Sequence, residues 1–202
     1  MKAQRLYAPR DMRLDDIPQP EPGPGEVLIR VRAVGVCGSD VHYFIDGHIG
    51  DAVPDFPFVL GHEFAGEIAA LGPGVEGPPV GTAVAVDPSI PCGKCETCLE
   101  GNPNCCPNVR FCGSAPVAGT LSEYYAHPAE LCEPLPASMD FADGAMLEPL
   151  GVTVHALSLA KVRPGDTVAI LGAGPIGLGA ALDYMQEIGR EPKPDKPDSW
   201  VV

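Results

Sequence analysis

The segment PCGKCETCLEGNPNCCP, residues 91–107, constrains this chain more than any other feature. It places two residues between Cys92 and Cys95, two between Cys95 and Cys98, and seven between Cys98 and Cys106, with Cys105 beside Cys106. Four thiolates about 2.3 Å from one ion form a closed, tetrahedral structural zinc site. Gly93, Gly101 and Pro103 supply the turns a short loop needs to wrap an ion. Spacing alone leaves Cys105 and Cys106 as alternatives for the fourth ligand. The amino terminus, MKAQRLYAPRDMRLDDIP, contains no apolar run of signal-peptide length. The eight cysteines therefore point to metal or redox chemistry in a cytoplasmic protein, not to disulfides.

The pattern around this lobe is β-rich. Residues Glu26 to Val34, EVLIRVRAV, partly alternate apolar and basic side chains. Ala3 to Tyr7, Phe64 to Ala70, Ala83 to Val86 and Ser122 to Ala126 are further short strand candidates bounded by Gly/Pro turns. Such strands imply an antiparallel barrel or sandwich. After Asp140, a helix N-cap candidate, the period lengthens through Ala142 to Leu147 and again through Val152 to Leu159. The chain of 202 residues carries 13 Lys and Arg against 27 Asp and Glu, a net charge of −14, which argues against nucleic-acid or anionic-membrane partners. Its 45% hydrophobic content is that of a folding chain despite 24 glycines and 24 prolines.

Residues 163–178, RPGDTVAILGAGPIGL, read as a Pro-Gly turn, a buried strand from Thr167 to Leu171, and a glycine turn opening onto a helix. Gly172, Gly174 and Gly177 fit the dinucleotide-binding spacing: Gly172 for the tight turn, Gly174 for approach of a pyrophosphate, Gly177 for helix packing. The second parallel strand expected after Gly189 does not follow. Prolines at alternate positions in EPKPDKP forbid a central strand, and Asp195 and Asp198 lack the strand that would aim an acid at a ribose. The charge-free stretch Thr167 to Leu182 is too short and glycine-rich for a membrane span. A second set of possible metal ligands lies at turns, in Gly35-Val-Cys37-Gly-Ser39-Asp40 and Gly61-His62-Glu63-Phe-Ala-Gly66-Glu67. Cys37, His62 and an acid could hold a catalytic zinc with one exchangeable position.

Taken in order, GVCGSDVHY, GHEFAGE, the four-cysteine lobe, Phe111 to Pro116, GTLSEYYAHPAELCEPLP, GAMLEPLGVTVHA and VAILGAGPIGL resemble the zinc-dependent medium-chain dehydrogenase/reductase family, and within it the sorbitol and xylitol dehydrogenases. The resemblance runs over roughly residues 1–182. It implies a mainly β, GroES-like, partly open barrel as catalytic domain over 1–150, with a structural zinc lobe at 91–107. The start of an NAD-binding Rossmann domain would occupy 151–189, and an atypical Pro-rich tail 190–202. On this reading the chain is C-terminally truncated. Family members associate largely through the domain missing here, which removes the basis for expecting oligomers.

The resemblance implies catalytic zinc binding by Cys37, His62 and Glu63, with Glu148 as a further ligand, directly or through water. It selects Cys106 over Cys105 for the structural zinc. Ser39 would relay the substrate proton, and Tyr43 and Phe111 would line the substrate pocket, although aromatic residues also pack in cores. His42 and His48 read as turn or surface residues. The implied reaction is oxidation of a polyol or alcohol to a ketone with hydride transfer to NAD. Two alternatives stand beside it: a zinc-binding module without dehydrogenase activity, and another zinc alcohol or threonine dehydrogenase.

Overall fold

The computed structural model describes residues 1–163 and 165–187, and the expectations about Gly189, Asp195, Asp198 and the 190–202 tail lie outside them. The chain separates into two units, Met1–Met146 and Leu147–Val202.

The first unit is built from β1 (Lys2–Ala8), β2 (Asp11–Asp16), β3 (Glu26–Val34), α1 (Gly38–Asp46), β4 (Phe58–Val59), β5 (Phe64–Leu71), β6 (Ala83–Val86), β7 (Ser89–Ile90), α2 (Glu96–Leu99), β8 (Arg110–Phe111), β9 (Tyr124–Pro128) and β10 (Cys132–Pro134). A three-stranded sheet has the order β2-β1-β4, a five-stranded sheet β10-β6-β5-β3-β9, and β7 pairs with β8, with every neighbouring pair antiparallel. An Ala3–Ser122 bridge, flanked by bonds from the Gln4 N–H to the Leu121 carbonyl and the Glu123 N–H to the Lys2 carbonyl, joins β1 to the segment that leads into β9. The result is a partly open barrel.

Val27 and Ile29 of β3, Phe64 and Ile68 of β5, Val84 and Val86 of β6 and Cys132 of β10 fill one core. Leu6, Tyr43, Phe58 and Leu60 fill a second, beneath α1. Each large apolar side chain so buried contributes about 1.5–3 kcal/mol.

The second unit holds most of α3 (Phe141–Ala160) and all of α4 (Pro175–Glu187). Asp140 caps α3 as its sequence position predicts: its Oδ1 accepts the N–H groups of Ala142 and Asp143 at 2.8 and 2.9 Å. The two helical stretches read from the sequence are one helix that runs through Pro149. A proline normally ends a pattern-based helix because it lacks an N–H and crowds the preceding turn; here the helix continues past it. The hydroxyl of Thr153, almost wholly buried, lies within hydrogen-bond reach of the Leu150 carbonyl and of the Asp183 carboxylate of α4, and Gly179 of α4 packs against Thr153.

The predicted strand from Thr167 to Leu171 does not form among the described residues. A strand exists by its ladder, and residues 147–187 provide no second strand to pair with; Leu171 is 97% exposed. No described helix is long and apolar enough to cross a membrane.

Candidate metal centre

The antiparallel pairing of β3 with β5 builds the first centre. Its last rung is Val34 opposite Phe64, and the ladder continues with the Gly35 N–H donating to the Glu63 carbonyl at 2.7 Å. The residues just after β3 and just before β5 are thereby brought face to face. Cys37, at the N-cap of α1, meets His62 and Glu63, and one ligand atom from each lies within 4.8 Å of the others. A tetrahedron with zinc–nitrogen, –oxygen and –sulfur bonds of usual length has edges of about 3.3–3.8 Å, so small side-chain rotations close this set on an ion. Thiolate, imidazole and carboxylate suit zinc. Gly35 is required by close approach: a Cβ there would collide with the Glu63 carboxylate.

Asp40, which the sequence reading did not single out, ties the two ligand loops together. It is 4% exposed; its Oδ2 accepts the Cys37 N–H at 3.0 Å and its Oδ1 the Gly61 N–H at 2.9 Å. Its Oδ1 also lies 3.9 Å from Nδ1 of His62, too far for a hydrogen bond. The signal was present in sequence: an acid three residues after an N-cap is in the capping-box position.

Of the other residues assigned by resemblance, Ser39 is partly exposed in the first turn of α1, two residues from Cys37. Phe111 of β8 stands against His62, with ring centroids 5.3 Å apart. Tyr43 is buried, 1% exposed; its ring packs near Phe58 at 6.0 Å, and its hydroxyl accepts the Ala115 N–H at 3.3 Å. Glu148 sits, half-buried, on α3 in the second unit. His42 and His48 are exposed, His42 beside Asp46 at 3.2 Å and His48 against the Gly50 carbonyl at 3.0 Å.

The second centre is the cysteine lobe. The sulfurs of Cys92, Cys95, Cys98 and Cys106 lie within 4.8 Å of one another, with Cys95 3.3 Å from Cys98 and 3.7 Å from Cys106. These separations approach the ~3.8 Å edge of a zinc–tetrathiolate tetrahedron. The backbone N–H groups of Cys92 and Asn108 each point at the Cys106 sulfur from 3.4 Å. Cys105 is exposed and outside the cluster. The Thr97 hydroxyl and the Cys98 backbone pull the Cys95 thiol down to about 6, while burial and the neighbouring Cys95 thiol push Cys98 up to about 12. A metal ligand must be the thiolate, so uptake of an ion by this lobe releases protons.

The glycine turn lies in the second unit. Gly172 has φ +115°, a conformation that favours glycine, and a Cβ on Gly177 would collide with the Gly172 carbonyl oxygen. Gly174 faces open space, and α4 begins at Pro175. The turn thus leaves room for an approaching group at the N-terminus of a 13-residue helix, where free N–H groups favour anions.

The family model of the alcohol dehydrogenase GroES-like domain matches residues 23–137. The chain belongs to that family and resembles its zinc-dependent medium-chain dehydrogenases. It is 44% identical over 180 residues to the sorbitol dehydrogenase of Bacillus subtilis (strain 168), covering 89% of this chain and 51% of that protein. It is 49% identical over 153 residues to the "Probable D-xylulose reductase A" of Arthroderma otae, covering 76% of this chain and 43% of that protein. An alcohol dehydrogenase of E. coli CFT073, solved in complex with cofactor NADH, is 34% identical with a TM-score of 0.84, over 93% of this chain and 54% of that one. The chain spans about half the length of the curated relatives it matches.

Proposed function

We propose that this chain is the metal-binding half of a cytoplasmic, zinc- and NAD-dependent dehydrogenase that oxidises a secondary alcohol of a polyol to a ketone. The observation that carries the reading is the convergence of Cys37, His62 and Glu63 on one point, in a chain whose relatives carry the names sorbitol dehydrogenase and D-xylulose reductase. Cys37, His62 and Glu63 would hold the catalytic ion, with Glu148 assigned to it by resemblance, and Cys92, Cys95, Cys98 and Cys106 would hold the structural one. When bound, zinc lowers the pKa of a hydroxyl at its open position and NAD accepts hydride.

The chain's own residues do the rest. Ser39, two residues from Cys37, would take the hydroxyl proton, the role the resemblance gives it. Asp40 fixes both ligand loops, and Phe111 packs on His62. The Gly172–Gly177 turn and the start of α4 would receive the pyrophosphate of the cofactor. The partner is a small polyol or alcohol, not nucleic acid or a membrane surface, in keeping with the net charge of −14.

The test is NADH formation by the purified chain with sorbitol or xylitol, together with its zinc content. Turnover with two zincs supports the reading. Two zincs without turnover favours the second reading, a zinc-binding module, for which the supporting observation is that Thr167–Leu171 forms no strand among the described residues.

A further inference from the structure

We infer that Phe111 is a positioning residue that couples the cysteine lobe to the Cys37–His62–Glu63 centre, so that closure of one tunes the metal affinity of the other. The inference rests on the reading that both clusters hold an ion.

The two-residue strands β7 and β8 pair Ser89 with Phe111 and Ile90 with Arg110. They form the neck of the loop 91–109, which contains all four cysteines. A ladder this short is not stable alone, so it depends on what holds its two ends. At its far end the thiol cluster closes the loop, Cys92 to Cys106. At its near end the neck is tied to the barrel. The Cys112 N–H donates to the Pro88 carbonyl at 3.1 Å, and His127 of β9 donates from Nε2 to the Asp87 carbonyl at 2.8 Å. With Nε2 the donor, Nδ1 of the neutral ring accepts the Cys112 thiol at 3.8 Å. Phe111 thus sits between two fixed points, and its ring lies on His62 at 5.3 Å and 60°. Opening the cysteine cluster releases one of those points. The His62 ring then loses one of the contacts that limit its orientation, and outer partners that orient metal ligands set affinity by about 10–100-fold.

The experiment titrates cobalt(II) into the purified full chain against a competing chelator, reading thiolate-to-cobalt absorption and the d–d bands, with Cys37→Ser as the blank that reports the lobe alone. Phe111→Ala and Cys98→Ala are each expected to weaken cobalt at the Cys37 centre about tenfold, with shifted d–d bands. The double variant is expected to bind no more weakly than either single one, because both break the same linkage. If Cys98→Ala does not fold, Phe111→Ala and Phe111→Leu carry the test. Both leave the four thiols in place and are expected to weaken the Cys37 centre while the lobe signal in the Cys37→Ser background stays unchanged. Wild-type affinity in the Phe111 variants, or additive losses in the double variant, overturns the coupling. A wild-type chain that binds cobalt only at the lobe overturns instead the reading of the catalytic centre on which the coupling rests.

Discussion

Replacing Asp40 by alanine tests how the ligand loops are held. The substitution removes the acceptor of two backbone donors, the Cys37 N–H at 3.0 Å and the Gly61 N–H at 2.9 Å. The Gly61 donor is buried and stays unpaired, which costs about 1–3 kcal/mol; the Cys37 donor is partly exposed and can be rehydrated, losing about 1 kcal/mol. The expected destabilisation is therefore about 2–4 kcal/mol. For a chain of this length that corresponds to a Tm lower by about 4–16 °C. The two loops also carry all three ligands of the first centre, so zinc or cobalt affinity there is expected to fall by about 10–100-fold. Asp40→Asn keeps one acceptor and turns an amide NH2 toward the other donor, and about half the stability loss is expected. Urea unfolding at fixed metal concentration measures the first quantity, read as a changed midpoint at constant slope. Chelator competition measures the second. If Asp40→Ala unfolds within about 0.5 kcal/mol of wild type and binds metal as tightly, Asp40 does not hold the loops.

Three further outcomes are expected. Gly35→Ala drives a Cβ into the Glu63 carboxylate; metal affinity at the Cys37 centre should fall at least about tenfold in the same competition assay, with about 1–3 kcal/mol of overpacking cost. Burial lowers the pKa of His127 from its ordinary 6.5, so the folded state refuses a proton that the unfolded state accepts. Stability is unaffected by this group above that value and falls below it, by at most about 1.4 kcal/mol per pH unit, levelling off under the folded pKa; urea midpoints of wild type and His127→Gln between pH 7 and 5 should diverge accordingly. Cys105→Ser should leave the metal content unchanged, since its thiol is exposed and outside the cluster, and a lost ion by mass spectrometry would reverse that assignment.

The local rules carried much of the fold. Glu26 to Val34 and Ala83 to Val86 are strands with the bounds their patterns predict, and Asp140 caps its helix. The cysteine spacing also predicts its own cluster, because a loop of that length leaves few other arrangements. Three features depend on neighbours distant in sequence and were not legible. Pro149 marks a helix end by its own chemistry, yet α3 continues through it. Thr167 to Leu171 has strand composition, but a ladder needs a partner, and none stands beside it among the described residues. Tyr43 has an aromatic character that says nothing of its neighbours, and its packing with Leu6, Phe58 and Leu60 comes from elements far apart in sequence. The link from Asp40 to Gly61 spans 21 residues, and the link from Cys112 to His127 joins a loop to a strand; both arise from the β3–β5 and β3–β9 pairings and not from any motif.

The number of zinc ions per chain tests the central claim most directly. Two ions are expected in the wild-type protein, one in Cys37→Ser and one in Cys98→Ser, with Cys37→Ser retaining the ion of the lobe. A wild-type chain holding one ion that survives Cys37→Ser would contradict the catalytic centre, and a chain holding none would contradict both sites.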